Sequence, residues 1–170
     1  MNPNSFHFTS GIGFDVHAFE SCDDMQHIRL CGLSIPSHYR VLAHSDGDVA
    51  LHALVDAMLG AIGAGDIGEH FPPTDMRWKN ADSTQFVTHA LSLFKERQAV
   101  LINADITIIC ESPKLTPHKP TMKNVLASIL KLRPENVNIK ATTTEKLGFL
   151  GRSEGIAAQA IVSVKVPAHD

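Results

Sequence analysis

Three residues in the first third of the chain have the types and spacing of a metal site. Asp15 and His17 are two positions apart, and His52 lies inside a helical pattern of apolar residues. On a strand, residues two apart point to the same side, so Asp15 and His17 would project together while Val16 faces away. One carboxylate and two imidazoles suit a zinc ion whose fourth position stays open, as in catalytic sites. A hydrogen-bonded Asp/His pair at a strand end is the alternative for the triplet alone.

The segment before the predicted helix has the features of a phosphate site. His44, Ser45 and Asp48 stand where backbone amides have no partner within the helix and where the helix dipole favours an anion. Ser45 and Asp48 also match the Ser-x-x-Asp pattern that starts helices, so simple capping is the alternative. The same helix would then present a phosphate cradle and the metal ligand His52.

Further polar groups lie in loops and at strand ends. Residues 65–68 and 71–75 are punctuated by glycine and proline and hold acids that can accept hydrogen bonds from substrate hydroxyls, although ordinary turns have the same pattern. Residues 142–146 follow a strand, and their hydroxyls and amides can hold phosphate while Glu145 can hold magnesium. Strand propensity alone also explains the three threonines. The glycine-rich residues 148–155 do not match a nucleotide-binding motif.

Hydrophobic periodicity predicts an α+β fold. Alternation predicts a first strand ending near His17, a strand pair or bulge over residues 28–35 closed by residues 36–38, and strands over 100–110, 137–141 and 156–166. Three/four spacing predicts helices over 48–62 and 83–97 and one ending at Leu130. Residues 22–25 and 71–75 are predicted loops. The fold class is therefore a mixed β-sheet with helices packed on one face.

Two strands carry patterns that assign sheet faces. In the strand over 100–110, the residues predicted to face the core are Ile102, Ala104, Ile106 and Ile108. In the last strand, the small apolar residues are predicted to lie on the second sheet face, toward another subunit or toward solvent; they are Ala158, Ala160, Val162 and Val164.

Length and charge limit the classes of protein that remain. The 170 residues predict a single domain over 1–170. A net charge of -3 without a Lys/Arg block argues against nucleic-acid or membrane-surface partners. The chain has no apolar run of about 18 residues and no basic-then-apolar N-terminus, which predicts a cytoplasmic protein, or a plastid stromal one in a plastid-bearing source. Cys22, Cys31 and Cys110 are predicted free thiols.

Taken together, four segments resemble the 2-C-methyl-D-erythritol 2,4-cyclodiphosphate synthase family of the non-mevalonate isoprenoid pathway. They are GFDVHAF at 13–19, LAHSDGDVALHAL at 42–54, GDIGEHFPPTD at 65–75 and KATTTEKLGFLGRSEGIA at 140–157. The resemblance implies a homotrimer with active sites between subunits and with the second sheet face toward the trimer axis. The implied reaction converts 4-diphosphocytidyl-2-C-methyl-D-erythritol 2-phosphate into the cyclic diphosphate and releases CMP, which makes the enzyme a phosphorus–oxygen lyase.

The resemblance also implies roles for individual residues. Asp15, His17 and His52 would hold zinc with a substrate phosphate oxygen as fourth ligand, and Glu145 would hold a second divalent ion, usually Mg²⁺. His44 and Thr143 match the family's transition-state stabilisers. The full set of implied substrate contacts is Asp15, Val16, His17, His44, Ser45, Asp66, Ile67, Gly68, Phe71, Pro72, Pro73, Thr74, Asp75, Cys110, Glu111, Ser112, Pro113, Lys114, Leu115, Thr116, Thr142, Thr143, Thr144, Glu145, Phe149 and Arg152.

Some of these contacts have a more specific implied setting. Residues 110–116 and 142–144 would reach the cytidine and phosphates from a neighbouring subunit, and Phe149 and Arg152 would lie near the trimer axis. Pro73 departs from the family, which commonly has Asp there; the change removes one acceptor and one backbone donor. By spacing alone, Asp56 is predicted to fix the ring of His52.

Two other functions compete with this interpretation. A zinc phosphohydrolase would use metal-bound water as its nucleophile, with Asp56 as general base. A non-catalytic trimeric binding module would use the metal only for structure.

Overall fold

The computed structural model describes residues 5–168 and has a five-stranded sheet in this part of the chain. The strand order is β2-β1-β5-β3-β4, with the strands β1 (Phe6–Leu30), β2 (Leu33–Leu42), β3 (Val100–Ile109), β4 (Val137–Thr142) and β5 (Gly155–Pro167). β3 and β4 are parallel, and the other neighbouring pairs are antiparallel. This mixed sheet confirms the predicted α+β class. The prediction of one domain over 1–170 reaches beyond the described residues at both ends and stays a prediction.

The helices lie against one face of the sheet. They are α1 (Val49–Ala61), α2 (Ile67–His70), α3 (Thr84–Glu96), α4 (Lys119–Leu130) and α5 (Gly148–Gly151), with short 3-10 turns at Met76–Trp78 and Pro134–Asn136. α1 packs on β1 and β5 and is covered in turn by α3, so it is buried almost all round. The predicted helices over 48–62 and 83–97 are confirmed as α1 and α3, with each end within two residues of its predicted position. The predicted helix end at Leu130 is confirmed as the end of α4. None of the helices in residues 5–168 combines the length and apolar character needed to cross a bilayer.

Two glycines of β1 allow α1 to approach the sheet closely. A Cβ atom at Gly11 would lie 1.9 Å from the carbonyl oxygen of Ala57, and one at Gly13 would lie 2.0 Å from that of Ala53. Real side chains cannot occupy these positions, so only glycine lets the helix backbone rest directly on the strand. This contact places the first turns of α1 beside the part of β1 that carries Asp15.

The β1–β2 hairpin is longer than predicted. Cys31 and Gly32 both have positive φ, 54° and 79°, as a two-residue hairpin turn requires, so the strand pair over 28–35 is confirmed. Pairing continues past Pro36 to Leu42, so the prediction that residues 36–38 close the hairpin was wrong.

The predicted loop over 22–25 was also wrong. Ser21 pairs with Tyr39, and the next paired residue, Gln26, pairs with Ser37. The four residues 22–25 therefore lie opposite a single residue of β2, His38. The segment is a bulge within the hairpin. Its polar composition reflects solvent on both sides, because an exposed strand needs no apolar residues to pair its backbone.

A second bulge changes which residue of β3 enters the core. The register shifts between Leu101 and Asn103, so Leu101 is 8% exposed whereas Ile102 is 36% exposed. Ala104, Ile106 and Ile108 are fully buried, as predicted. The prediction for Ile102 was wrong because an extra residue reverses the inward and outward alternation.

The face assignment for β5 was wrong as well. Ala158, Ala160, Val162 and Val164 are buried beneath the helices rather than placed on the second face. Small side chains occur there because α1 approaches the sheet so closely. The second face instead carries large apolar side chains, and their exposed fractions are 65% for Ile12, 56% for Phe14 and 46% for Ile161. We call these three residues the open apolar face.

Candidate metal centre and substrate pocket

Asp15, His17 and His52 converge on one point. The distance from Asp15 Oδ2 to His17 Nε2 is 3.2 Å, and His52 Nδ1 lies 3.0 Å from each of those two atoms. Ligand atoms of a tetrahedral zinc ion lie about 3.3 Å apart, given bonds of about 2.0–2.1 Å. The three donors are therefore spaced as one metal ion needs, and the structure confirms the predicted triad as a potential metal site.

The triad depends on contacts between β1 and α1. Asp15 and His17 lie on the same face of β1, as their spacing predicts, and His52 is in the first turn of α1. The N-cap of α1 is Asp48, whose buried carboxylate accepts hydrogen bonds from Leu51 N, and also from Cys31 N and Gly32 N in the hairpin turn. The start of the helix is thus tied to the hairpin, which orients His52 toward the strand.

The two interpretations of the segment before the helix have different outcomes: the phosphate contacts of His44 and Ser45 stay predictions, whereas the cap is supplied by Asp48. Its carboxylate occupies the N-terminus of α1, so capping is confirmed, although by Asp48 rather than by Ser45. A phosphate at these amides would meet that carboxylate. Burial raises the pKa of Asp48, whereas three backbone hydrogen bonds lower it.

The chemical state of His17 suits metal binding. Burial lowers its pKa below the ordinary value of 6.5, and this effect outweighs the opposing attraction of Asp15. A histidine must be neutral to offer its lone pair to a metal ion. The site therefore favours the ligating form of His17 at neutral pH.

A pocket of about 190 Å³ adjoins the triad. His44 Nε2 and Trp78 Nε1 are buried in this region without a hydrogen-bond partner among the described residues, which suits groups that bind a polar ligand. The lining includes seven predicted substrate contacts together with His52, Trp78 and Phe86, and in full it consists of His17, His44, Ser45, His52, Ile67, Gly68, Phe71, Pro73, Trp78 and Phe86.

The other residues of the predicted substrate loop hold its shape. Asp66 caps α2 by accepting a hydrogen bond from Glu69 N, and Asp75 caps the Met76–Trp78 turn by accepting one from Arg77 N. Asp75 N donates to Pro72 O, and Thr74 is exposed. These residues do not line the pocket, and their substrate contacts stay predictions.

Asp56 does not have the role predicted for it. Its Oδ1 accepts a hydrogen bond from Ile67 N at 2.8 Å, which ties α2 to α1, and the partners of the His52 Nε2 atom are instead Ser45 and Ser83. The prediction that Asp56 fixes the His52 ring was wrong because side chains four apart share a helix side but need not touch.

Variants of Asp56 are expected to separate anchoring from base catalysis. Asp56→Asn keeps an oxygen for Ile67 N and should keep near wild-type activity, whereas Asp56→Ala should lower kcat/KM by up to about tenfold, the effect of one hydrogen bond. Steady-state kinetics of both variants measures this. Loss of activity in Asp56→Asn would instead point to a carboxylate acting as a base.

A histidine pair, His70 and His89, connects α2 to the segments around it. His70 Nε2 donates to Ala64 O at 2.7 Å, because a carbonyl can only accept. With its proton on Nε2, His70 can accept at Nδ1, which lies 3.0 Å from His89 Nε2 on α3. The two histidines thus join α2, α3 and the glycine turn.

Acidification is expected to weaken this support. In the folded protein, burial lowers the pKa of His89 below its ordinary value of 6.5, and the neighbouring His70 adds to this effect. At a pH between the folded and the unfolded pKa of His89, the unfolded chain therefore binds more protons than the folded one. The contribution to stability is complete above the unfolded pKa and is lost as the pH falls toward the folded pKa. Chemical denaturation of wild type and His89→Gln between about pH 5 and 8 tests this. The variant should lose less stability on acidification; identical pH profiles would contradict the prediction.

A second group of predicted residues lies at the ends of β3 and β4. Glu111 Oε1 accepts hydrogen bonds from Thr144 N at 3.0 Å and from Lys146 N at 3.4 Å, and Thr143 Oγ1 lies 3.4 Å from a Glu145 carboxylate oxygen. These contacts join the loop that begins at Cys110 to the threonine turn. The remaining predicted residues of this second group are Ser112, Pro113, Lys114, Leu115, Thr116 and Thr142. None of this group lines the pocket at the triad.

The last two predicted residues are placed near the start of β5. Phe149 lies on α5 and is 46% exposed, and the Arg152 guanidinium pairs with Glu154 at 2.8 Å. Val16 points away from the triad and is also exposed. Their roles stay predictions.

Several residues at the site had no distinct signal in the sequence. Trp78 follows a proline-rich loop, Phe86 has the pattern of an ordinary core residue of α3, and Ser83 resembles a helix cap. A larger cavity of about 720 Å³ lies at the far end of α1, where Thr9, Ile62 and Arg97 contribute to its lining. It contains no residue of the predicted site.

The chain is similar to known proteins over almost its whole length. The YgbB family model matches residues 8–165. A 2-C-methyl-D-erythritol 2,4-cyclodiphosphate synthase of Ehrlichia chaffeensis is 53% identical over 95% of each chain, and one of Xanthomonas axonopodis pv. citri is 56% identical over 93% of each.

Solved structures agree with these relatives. The bifunctional IspDF of Campylobacter jejuni has a TM-score of 0.89 and 46% identity, and the match covers 95% of this chain and 43% of that one. IspF of Plasmodium falciparum, in a CDP complex, has a TM-score of 0.81 and 30% identity over 95% and 97% of the two chains. The predicted resemblance is confirmed: the chain belongs to the YgbB family, which includes these 2-C-methyl-D-erythritol 2,4-cyclodiphosphate synthases.

Proposed function

We propose that this chain is a metal-dependent synthase of the non-mevalonate isoprenoid pathway. It cyclises 4-diphosphocytidyl-2-C-methyl-D-erythritol 2-phosphate to 2-C-methyl-D-erythritol 2,4-cyclodiphosphate and releases CMP, a phosphorus–oxygen lyase reaction. The observation that carries the proposal is the convergence of Asp15, His17 and His52 beside a pocket lined by His44 and Ser45. Relatives more than half identical to this chain bear the name of that synthase, which supports the assignment.

The reaction explains why the pocket needs no protein nucleophile. An oxygen of the 2-phosphate attacks the β-phosphorus, and the bond from that phosphorus to the bridging oxygen breaks. CMP leaves with the bridging oxygen and its electron pair. Two anionic groups must be brought together in line, which requires positioning and groups that offset their repulsion. The residues around the pocket are of this kind.

The donor set fits a divalent metal ion. One carboxylate oxygen and two imidazole nitrogens hold zinc with one position left for a substrate phosphate oxygen. Zinc bound there supplies alignment and polarisation of the phosphates. Glu145 is the proposed ligand of a second ion, Mg²⁺, because its exposed carboxylate suits an ion that prefers few protein oxygens together with phosphate.

His44 and Ser45 are the proposed phosphate contacts within this subunit. His44 Nε2 is buried beside the pocket with no partner among the described residues, so it is available to a phosphate oxygen. Ser45 Oγ lies 3.1 Å from His52 Nε2 and faces the same pocket. A donor at His44 would stabilise negative charge on the transferring phosphoryl group.

A single chain leaves the proposed site incomplete. The residues proposed to contact the cytidine and the phosphates lie outside the pocket lining; they are residues 110–116 and 142–145, which include the proposed stabiliser Thr143. We propose a homotrimer in which a neighbouring subunit supplies this group. The open apolar face, formed by Ile12, Phe14 and Ile161, is the proposed interface, since exposed apolar surfaces of this kind mark sites of association.

Product analysis tests the proposed reaction. Purified protein is incubated with the cytidine substrate, Zn²⁺ and Mg²⁺ in ¹⁸O-labelled water, and the products are followed by phosphorus NMR and CMP release. The expected product is the cyclic diphosphate without label. A linear product that carries the label would identify a phosphohydrolase instead.

Chelation tests whether the metal is catalytic. Removing zinc should leave a folded, assembled but inactive protein, which sedimentation and circular dichroism can establish. Dissociation or unfolding on chelation would favour a structural metal and a non-catalytic binding module.

A further inference from the structure

We propose that Ser83 and Asp46 are positioning residues that orient the His52 ring for metal binding. The inference rests on the proposed function and adds two residues to it, neither of which lines the pocket. It follows from the burial of Ser83, from the hydrogen bonds of Asp46 and from the number of protons that these groups share.

Ser83 occupies a helix N-cap position without capping the helix. It stands directly before α3 and makes no side-chain cap hydrogen bond. The usual serine at this position accepts a hydrogen bond from an amide of the first turn. Ser83 is instead fully buried, and its hydroxyl oxygen lies 2.9 Å from His52 Nε2. Asp82 provides the local turn contact through Thr84 N. The hydroxyl of Ser83 is therefore diverted from the helix to the metal ligand.

Asp46 holds Ser83 with both carboxylate oxygens. Its Oδ1 accepts the Ser83 hydroxyl proton, and its Oδ2 accepts a hydrogen bond from Ser83 N at 3.1 Å. Its own backbone N donates to Ala81 O at 3.0 Å. These contacts link the loop before α1 to the start of α3. Arg29 Nε lies 3.9 Å from Asp46 Oδ2.

The number of available protons determines the state of His52. A serine hydroxyl has one proton, and Asp46 accepts it, so Ser83 Oγ can only accept from His52. The His52 Nε2 atom therefore carries the ring proton. The Nδ1 atom then keeps its lone pair, and Nδ1 is the atom that faces Asp15 and His17 at 3.0 Å. Such outer partners commonly fix the tautomer and ring orientation of metal-bound histidines.

Loss of this support should weaken metal binding without removing a ligand. In Ser83→Ala, the His52 Nε2–H loses the shorter of its two contacts and keeps only the Ser45 hydroxyl at 3.1 Å, which is not held by Asp46 and is free to donate. The Nδ1–H tautomer, hydrogen-bonded to Asp15, therefore gains population. We expect zinc affinity to fall by about 10- to 100-fold. Asp46→Asn places an amide group against Ser83 N–H or its hydroxyl, so one of the two hydrogen bonds fails, and affinity should fall by about tenfold.

Two measurements on protein without substrate test the proposal. Zinc affinity is measured by competition with a chromogenic chelator, and the His52 tautomer in metal-free protein is read from long-range nitrogen–proton NMR. The matched controls are Ser92→Ala, an exposed serine of α3, and Asp82→Asn, an acid beside the same arginine. Both controls should retain wild-type zinc affinity and the Nε2–H tautomer.

The outcomes separate this inference from the proposed reaction. Wild-type zinc affinity together with an unchanged Nε2–H tautomer in Ser83→Ala would overturn it, even if the enzyme cyclises its substrate. If Ser83→Ala does not fold, Asp46→Asn decides by the same two readouts. A purely structural role would lower stability without changing the tautomer, and that result would also overturn the proposal.

Discussion

Replacing His52 with alanine is expected to abolish zinc binding and to lower turnover by about 10³-fold or more. The variant leaves Asp15 and His17 as two donors, which are too few for a tight zinc site. Metal coordination of a phosphoryl oxygen supplies several kcal/mol of transition-state stabilisation, and about 1.4 kcal/mol corresponds to a tenfold change in rate. Zinc content and the rate of CMP release measure the two effects.

The fold should survive this substitution. The His52 ring makes polar contacts with Asp15, Ser45 and Ser83 and lies 5.8 Å from the Phe86 ring between centroids. Because His52 lines the pocket, its removal enlarges that pocket rather than leaving a closed cavity in the core. Circular dichroism and sedimentation should therefore match wild type. His38→Ala is the matched control, because His38 is exposed on β2. This variant should match wild type in zinc content, CMP release, circular dichroism and sedimentation. Full activity of zinc-free His52→Ala would refute the metal's role in catalysis.

Replacing Gly13 with alanine is expected to destabilise the protein by about 3 kcal/mol or more. The new methyl group would lie 2.0 Å from Ala53 O and 2.7 Å from Ala57 N, both backbone atoms of α1. A flexible side chain can move aside, but here the whole helix must shift. The shift would carry His52 away from Asp15, so zinc affinity should fall together with the free energy of unfolding. Denaturant titration and zinc competition measure both quantities.

Gly60 provides the matched control on the same helix. A Cβ atom there meets nothing within 4 Å, and Gly60 lies on the exposed side of α1. Alanine is the better helix former, so Gly60→Ala should stabilise the protein by about 0.5–1 kcal/mol. Equal stability changes in the two variants would show that close helix–strand approach is not the reason for Gly13.

The residues of the candidate metal triad were predictable from their types and local spacing, whereas their convergence depends on the contact between β1 and α1. A spacing of two on a strand puts Asp15 and His17 on one side, and His52 occupies a buried first turn of a strongly apolar helix. The start of α1 was predictable for the same reason, since Asp48 is a capping residue type. In contrast, residues 22–25, Ile102 and the small side chains of β5 were assigned wrongly. The spacing of apolar and polar residues in the sequence does not indicate where a bulge or a close helix contact will occur.

The amino-acid sequence by itself determined the fold class, the positions of the main helices, the family resemblance and the three residues of the candidate metal triad. Only the tertiary structure decided which sheet face lies beneath the helices, that Asp56 anchors Ile67 rather than His52, and that Ser83 with Asp46 supports the His52 ring. Local patterns report the side on which a residue lies within its own element. Contacts between elements depend on register and on how closely backbones approach, and these are set by glycines and bulges distant in the chain.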